Sequence, residues 1–232
     1  MAVRLYELCG ADRRLLFSPY CWRVRFALAH KGVSHESVPT AFTEVEKVGG
    51  GAFRSVPVLE EDGRLLGESF DIALHLEAGH PDRPALFGDG GAVAAARFVE
   101  GWSMFQLHPA IAPMIISRIH DLLAPADQAY FRGSREARYR TTLEAFTTGV
   151  DANREAFARA LAPVRHALAR HEWLGGAEPR YADHVVLGSL MWLYTIHGDL
   201  PLAADDPVLS WFGRGLDLYG GIGRATVTAR SG

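Results

Sequence analysis

In "LLFSPYCWRVRFAL", Ser18 and Cys21 stand three residues apart at what reads as a helix entry. A dithiol redox site carries Cys-x-x-Cys at this spacing, so here an oxygen replaces the first sulfur. Serine is a favoured N-cap and Pro19 a favoured first helical residue, which gives Ser18 a structural reading. The chemical reading starts from what a hydroxyl does and does not do. It cannot run thiol–disulfide exchange, but it donates a hydrogen bond to a thiolate supplied by a ligand. A helix N-terminus favours that negative charge. The two readings are compatible, because one hydroxyl can cap and donate. In "RSVPVL", Val56 precedes Pro57 at a strand start, where proline is tolerated. In "GESFDI", Glu68 and Ser69 open a further helix, with Ser69 as its expected cap. In the functional reading of that entry, free amides and the Ser69 hydroxyl bind a carboxylate while Glu68 meets an ammonium group.

The elements that must position these residues follow from local pattern. "VRLYELC" is rich in β-formers and reads as a first strand. From Pro19 onward, Trp22, Phe26 and Ala29 recur at helical spacing until Gly32. "VSHESVP" is a second strand, and Gly49 to Gly51 mark an irregular stretch. "VPVLEEDGRLLG" predicts two short strands about an Asp62-Gly63 turn. Ser69 then opens the helix "FDIALHLEAG". This order is that of a thioredoxin-like α+β domain, expected over residues 1–82. "HPDRPALFGDGG" reads as a linker. Beyond it strand signals vanish, and residues 91–232 are expected to form an all-helical domain. Its clearest stripe is Phe157, Leu161, Val164 and Leu168, broken by Pro163.

A ligand with a thiol, a backbone-like amide, a carboxylate and an amine along one edge would engage all three motifs, and glutathione is that ligand. "SPYCWRVRFALAHKGV", "VPVLEEDG" and "GESFDIALHLE", in this order before an α-helical half, resemble a glutathione transferase. "HEWLGGAEPRYADHVVLGSLMW" resembles that family's W-L-G-G…A-D segment, in which Asp183 opens a core helix. "SPYCWR", "HPDRPALF" and the tail "LPLAADDPVLSWFGRGLDLYGGIGR" are most similar to the bacterial β-etherases of lignin breakdown and their fungal relatives. The resemblance implies a proline that is cis after Val56, Ser18 as catalytic residue, and Val56, Pro57, Glu68 and Ser69 as the glutathione site. It implies a thiolate that attacks a carbon bearing an aryloxy group and expels a phenolate. It also implies a homodimer. Trp102, Phe105 and Met114, in the first long helix of the second half, are candidates for the electrophile pocket and equally for helix core. Two departures stand out. Arg180 occupies the family's small capping position, so the cap must come from elsewhere, Asp183 itself being one source. Cys21 stands where the etherases carry an aliphatic residue.

Composition removes other classes. A net charge of −3 across 232 residues leaves no electrostatic footprint for nucleic acid. No stretch approaches the roughly 18 apolar residues of a membrane span. Two cysteines make a disulfide framework unexpected and fit a reducing cytoplasm. Ten histidines lie scattered without H-E-x-x-H or Cys/His zinc spacing, so no metal site is expected. Two rival functions remain: a glutathione thiol-transferase working through Cys21 or Cys9, and a non-catalytic binding protein with the same fold.

Overall fold

The computed structural model describes residues 3–230. Four strands, β1 (Val3–Leu8), β2 (Glu36–Thr40), β3 (Val58–Glu61) and β4 (Arg64–Gly67), form one mixed sheet in the order β2-β1-β3-β4. β1 runs parallel to β2 and antiparallel to β3, and β3 and β4 form the hairpin. Asp62 and Gly63 both have positive φ (50° and 80°), the geometry that the Asp-Gly pair announces. Helix α1 (Pro19–His30) provides the parallel crossover, and α2 (Ser69–Gly79) follows β4. A 3₁₀ segment, Phe42–Gly51, fills the stretch expected to be irregular and breaks at Gly49 and Gly50, both left-handed. The sheet and helices enclose a core of Leu5, Val24, Leu28, Leu59, Phe70 and Leu76.

The connection after α2 carries no helix or strand as far as α3 (Ala92–Trp102). It is nonetheless anchored. Leu86 and Phe87 are buried in the first domain's core, and their N–H groups donate to the Glu77 carboxylate. The second half is helical: α3, α4 (His108–Asp121), α5 (Pro125–Tyr139), α6 (Leu143–Phe146), α7 (Val150–Ala160), α8 (Ala162–Leu168), α9 (Tyr181–His197) and α10 (Pro207–Gly221). Pro163 does restart the chain as a new helix, at the second residue of α8. The first long helix is not continuous α-helix. A π turn, Ser103–Leu107, separates α3 from α4, and His108 N–H donates to Ser103 C=O five residues back. Pro109 follows at once with no N–H to return to Phe105, and a widened turn relieves the clash an interior proline creates.

The two halves meet chiefly where α1 lies along α9. Gly188 permits the approach, since a Cβ there would come within 2.6 Å of the Pro19 carbonyl oxygen. Polar ties cross the same boundary: Arg23 to Glu100 (3.2 Å), the Tyr181 hydroxyl to the Ser69 carbonyl (2.9 Å), and Ala11 N–H to the Leu122 carbonyl (2.9 Å). The Tyr219 hydroxyl, at a kink in α10, bonds both His30 (2.7 Å) and His184 (2.9 Å) and holds the tail motif against α1. No helix among the described residues is long and apolar enough to cross a membrane.

Candidate functional site

Sheet register decides what can meet. Val58 at the start of β3 pairs with Tyr6 near the end of β1 and with Gly67 at the end of β4. The loop that leaves β1 toward Ser18, the Val56-Pro57 bond before β3 and the Glu68-Ser69 entry after β4 therefore all lie at one end of the sheet. Cys21, in the first turn of α1, packs in one cluster with Val56 and Val58.

Ser18 is the N-cap of α1, with extended backbone (φ −65°, ψ 126°), and its Oγ accepts from Cys21 N–H at 3.4 Å. The residue is only 4% exposed. The capping role is thus present in the geometry, and the hydroxyl proton is not needed for it. The peptide bond between Val56 and Pro57 is cis. Neither N–H nor C=O of Val56 is engaged by a backbone hydrogen bond among the described residues.

The second helix entry differs by one residue from expectation. α2 begins at Ser69, so Glu68, not Ser69, is the N-cap, and its side chain makes no capping bond. Glu68 has φ 63° and ψ 115°, outside the favoured regions for a residue with a Cβ. This backbone leaves the first amides of α2 uncapped, and the Glu68 carboxylate is exposed beside them. Ser69 is buried.

The cysteines sit in the wrong environment for thiolate chemistry. Both are buried and free. Burial pushes Cys9 up to about 11 and Cys21 up to about 12; Ser18 beside Cys21 offsets only a small part of that. Tyr6, half-buried against the cluster of Cys21, Val56 and Val58, donates its hydroxyl to Glu60 at 2.9 Å.

The three candidate electrophile-pocket residues separate. Trp102 is half-buried against the helical core, and Phe105, in the π turn, is 73% exposed. Met114 lines a cleft of about 370 Å³ between α4 and α7, together with Pro113, Val150, Arg154 and His197; neither Trp102 nor Phe105 borders it.

A second set of residues, which the sequence patterns did not single out, gathers around Tyr20 in the helical turn that Ser18 caps. Tyr20, in the same helical turn, meets His108 edge-on (5.5 Å between ring centres), and His108 meets Trp192 at 5.5 Å. The Arg23 guanidinium caps the Tyr20 ring at 4.7 Å, and burial pushes the Tyr20 hydroxyl up, so it stays protonated. Arg23 itself is fully buried; its Nη1 bonds Glu100, and its Nε and Nη2 groups have no hydrogen-bond partner among the described residues. The one available signal was a histidine placed directly before Pro109 inside a helical pattern. Among the described residues no group of three or more His, Cys, Asp or Glu side chains is placed to hold a metal ion.

At the start of α9, Asp183 does what Arg180 cannot. Its carboxylate accepts from Leu174, Gly175 and Arg180 N–H groups (2.7, 2.9 and 3.0 Å) and from the Trp211 indole (3.3 Å). The missing small cap is supplied by the residue three positions on.

Comparison with known proteins agrees with this architecture. Residues 14–84 match the model of the glutathione S-transferase N-terminal domain, and residues 94–211 match that of the glutathione S-transferase C-terminal domain. A curated relative, glutathione S-transferase 4 of Zea mays, is 32% identical over 113 residues, 47% of this chain. That match spans about half (49%) of the relative's length. Among solved structures, a glutathione S-transferase of Ceriporiopsis subvermispora in complex with glutathione superposes with a TM-score of 0.77 at 20% identity, over 94% of this chain and 96% of that one. A glutathione transferase of Phanerochaete chrysosporium gives 0.75 at 22%, over 95% and 92%. At these identities the structural neighbours speak to fold alone. The domain models, one after the other along most of the sequence, speak to descent: the chain belongs to the glutathione S-transferase family.

Proposed function

We propose that this protein is a glutathione transferase in which Ser18 donates to the glutathione thiolate. One observation carries the reading: at one end of the sheet, a serine-capped helix start, an unengaged Val56 backbone before a cis proline, and an uncapped helix start beside an exposed carboxylate stand together. These match a thiol, a peptide group, and a carboxylate with its neighbouring ammonium. The backbone of Val56, with Pro57, receives the cysteinyl part, while Glu68 and Ser69 hold the γ-glutamyl end. The family membership supports glutathione as co-substrate. Calorimetry tests it. Glu68→Gln or Ser69→Ala should weaken glutathione binding by about 1–3 kcal/mol, the range for a charged partner left unpaired. Undiminished affinity in both variants would remove the site from this helix entry.

The chemistry proposed is nucleophilic displacement. The thiolate forms a C–S bond at the carbon bearing an aryloxy group, and the C–O electron pair leaves on the phenolate. The support is the resemblance of "SPYCWR", "HPDRPALF" and the tail to the etherases. Trp102, Phe105 and Met114 remain individual candidates for contact with a hydrophobic electrophile, each exposed or half-exposed, with Met114 in a cleft that the other two do not border. The reading places the glutathione half within residues 1–82 and the electrophile half within 91–232. A homodimer in the cytoplasm completes it. Phe98 (78% exposed) leaves apolar surface on α3 for a second copy to cover, and two free thiols suit a reducing compartment.

The thiol-transferase alternative has less behind it. It needs a reactive cysteine, and burial keeps both Cys9 and Cys21 protonated near neutral pH.

A further inference from the structure

The π turn before α4 has a geometric effect that an α-helix cannot produce. Residues five apart on an α-helix are rotated by about 140° and point to different sides. In the π turn Ser103 and His108, five apart, converge on one atom: Ser189 Oγ lies 2.8 Å from Ser103 Oγ and 2.9 Å from His108 Nε2. Ser189 is on α9, and its own hydroxyl donates to the Val185 carbonyl at 2.9 Å, the usual partner of a helical serine. Its lone pairs are then left for two donors, the Ser103 hydroxyl and the His108 Nε2–H. All three residues are buried.

With the Ser189 proton given to Val185, the arrangement calls for the His108 tautomer that carries its proton on Nε2. With the proton on Nε2, Nδ1 carries a lone pair and is an acceptor only. Nδ1 has no hydrogen-bonding partner among the described residues. Burial holds the imidazole neutral, down at about 3, so the acceptor persists through the whole neutral range. The ring also meets two aromatics, Tyr20 on the α1 turn that Ser18 caps and Trp192 on α9, and the Arg23 and Arg138 guanidinium groups lie near enough to disfavour its protonation.

We infer that His108 is a specificity-determining residue of the acceptor pocket: held at Nε2 by Ser189, which Ser103 also bonds, its Nδ1 accepts a hydrogen bond from a hydroxyl on an aromatic electrophile packed beside the Tyr20–His108–Trp192 stack. The inference rests on the reading that the acceptor binds beside Ser18. It adds the class of acceptor, an aromatic carrying a hydroxyl donor rather than its alkylated counterpart. A hydroxylated ring gains the hydrogen bond, while a methyl ether in the same pose sets an oxygen lone pair against Nδ1 and leaves it unpaired.

The test uses a matched pair of probes without glutathione, so that failure of the glutathione site does not affect it. 2-Naphthol and 2-methoxynaphthalene are titrated against the full-length protein, with binding read from quenching of tryptophan fluorescence. Wild type should bind the naphthol about three- to tenfold more tightly, the span of one retained hydrogen bond. In His108→Phe the ratio should fall to near one. Ser189→Ala, which frees Nε2 and lets the ring turn or change tautomer, should shrink it as well while circular dichroism shows the fold retained. Between pH 5.5 and 8 the wild-type ratio should not change, since neither His108 nor the naphthol titrates there. Equal binding of the two probes by wild type, no binding of either, or a preference that survives in His108→Phe would overturn the assignment. Glutathione calorimetry stands apart from all of these outcomes.

Discussion

Glu68 is held at φ 63° in a region where a side chain is strained, and such strain costs on the order of 1–3 kcal/mol. A residue without a Cβ would relieve it. Glu68→Gly should therefore leave the melting temperature unchanged or higher while weakening glutathione binding, a divergence that calorimetry and thermal unfolding read separately. A lower melting temperature together with intact binding would make Glu68 a structural residue. The cysteines give the opposite kind of residue. With both thiols buried and protonated, replacing Cys9 and Cys21 by Ala should leave conjugation largely intact, because the reacting sulfur belongs to glutathione. Loss of turnover in a folded double variant would favour the thiol-transferase. Ser18 was legible as a cap because its side-chain oxygen can accept a first-turn amide, and Pro57 as a strand-start residue because its ring fixes φ. Ser69 was misplaced by one position, since sequence alone cannot show that Glu68 takes the strained conformation that ends the strand.

At the scale of elements, α9 depends on one carboxylate. Burial pushes Asp183 up, and three backbone donors with the Trp211 indole pull it back. Asp183→Ala would strand those donors in the interior, at about 1–3 kcal/mol for each group left without water or partner. The urea midpoint should fall substantially, and Asp183→Asn, which keeps two acceptor lone pairs, should fall less. Equal midpoints for the two variants would show that packing rather than hydrogen bonding carries the helix start. The Asp62-Gly63 hairpin was readable because the turn's positive φ angles select those residues directly. The π turn was not. A proline inside a helical pattern can be met by a kink, a break or a widened turn, and the residue that the widened turn brings to His108, Ser189, lies 81 positions away. For the same reason Trp102, Phe105 and Met114, a plausible set along one helix, do not share a cavity once the turn is rephased.

Across the whole molecule, the contact between the halves is lined with histidines that burial keeps neutral. His108 faces Tyr20, and His184 faces His30 and Phe26; all three imidazoles are shifted down. A histidine so depressed binds no proton in the folded chain, while the unfolded chain takes one up below about 6.5. Stability is thus unaffected above that value and falls as the pH drops through it, by up to about 1.4 kcal/mol per pH unit for each such histidine. For His108 alone, going from pH 7 to pH 5 should remove about 2 kcal/mol, and His184 adds to the loss in the same direction. Urea unfolding at the two values checks it, and a midpoint that does not fall would mean these rings protonate in place. Sequence reasoning could not place this chemistry, because His184 meets His30 and Phe26 only through the docking of α1 on α9, and His108 meets Tyr20 only where α4 reaches α1.

The central claim is that Ser18 stabilises the thiolate of bound glutathione. The most direct measurement is an ultraviolet titration of the bound thiol, compared between wild type and Ser18→Ala. One charge-assisted hydrogen bond is worth about 1.5–3 kcal/mol, so the bound thiol of the variant should titrate roughly one to two units higher. Turnover near neutral pH should slow and recover as the pH rises. The helix N-terminus remains in the variant, so activity is reduced rather than abolished. Superimposable titration curves for the two proteins would contradict the account and leave Ser18 as the cap of α1 alone.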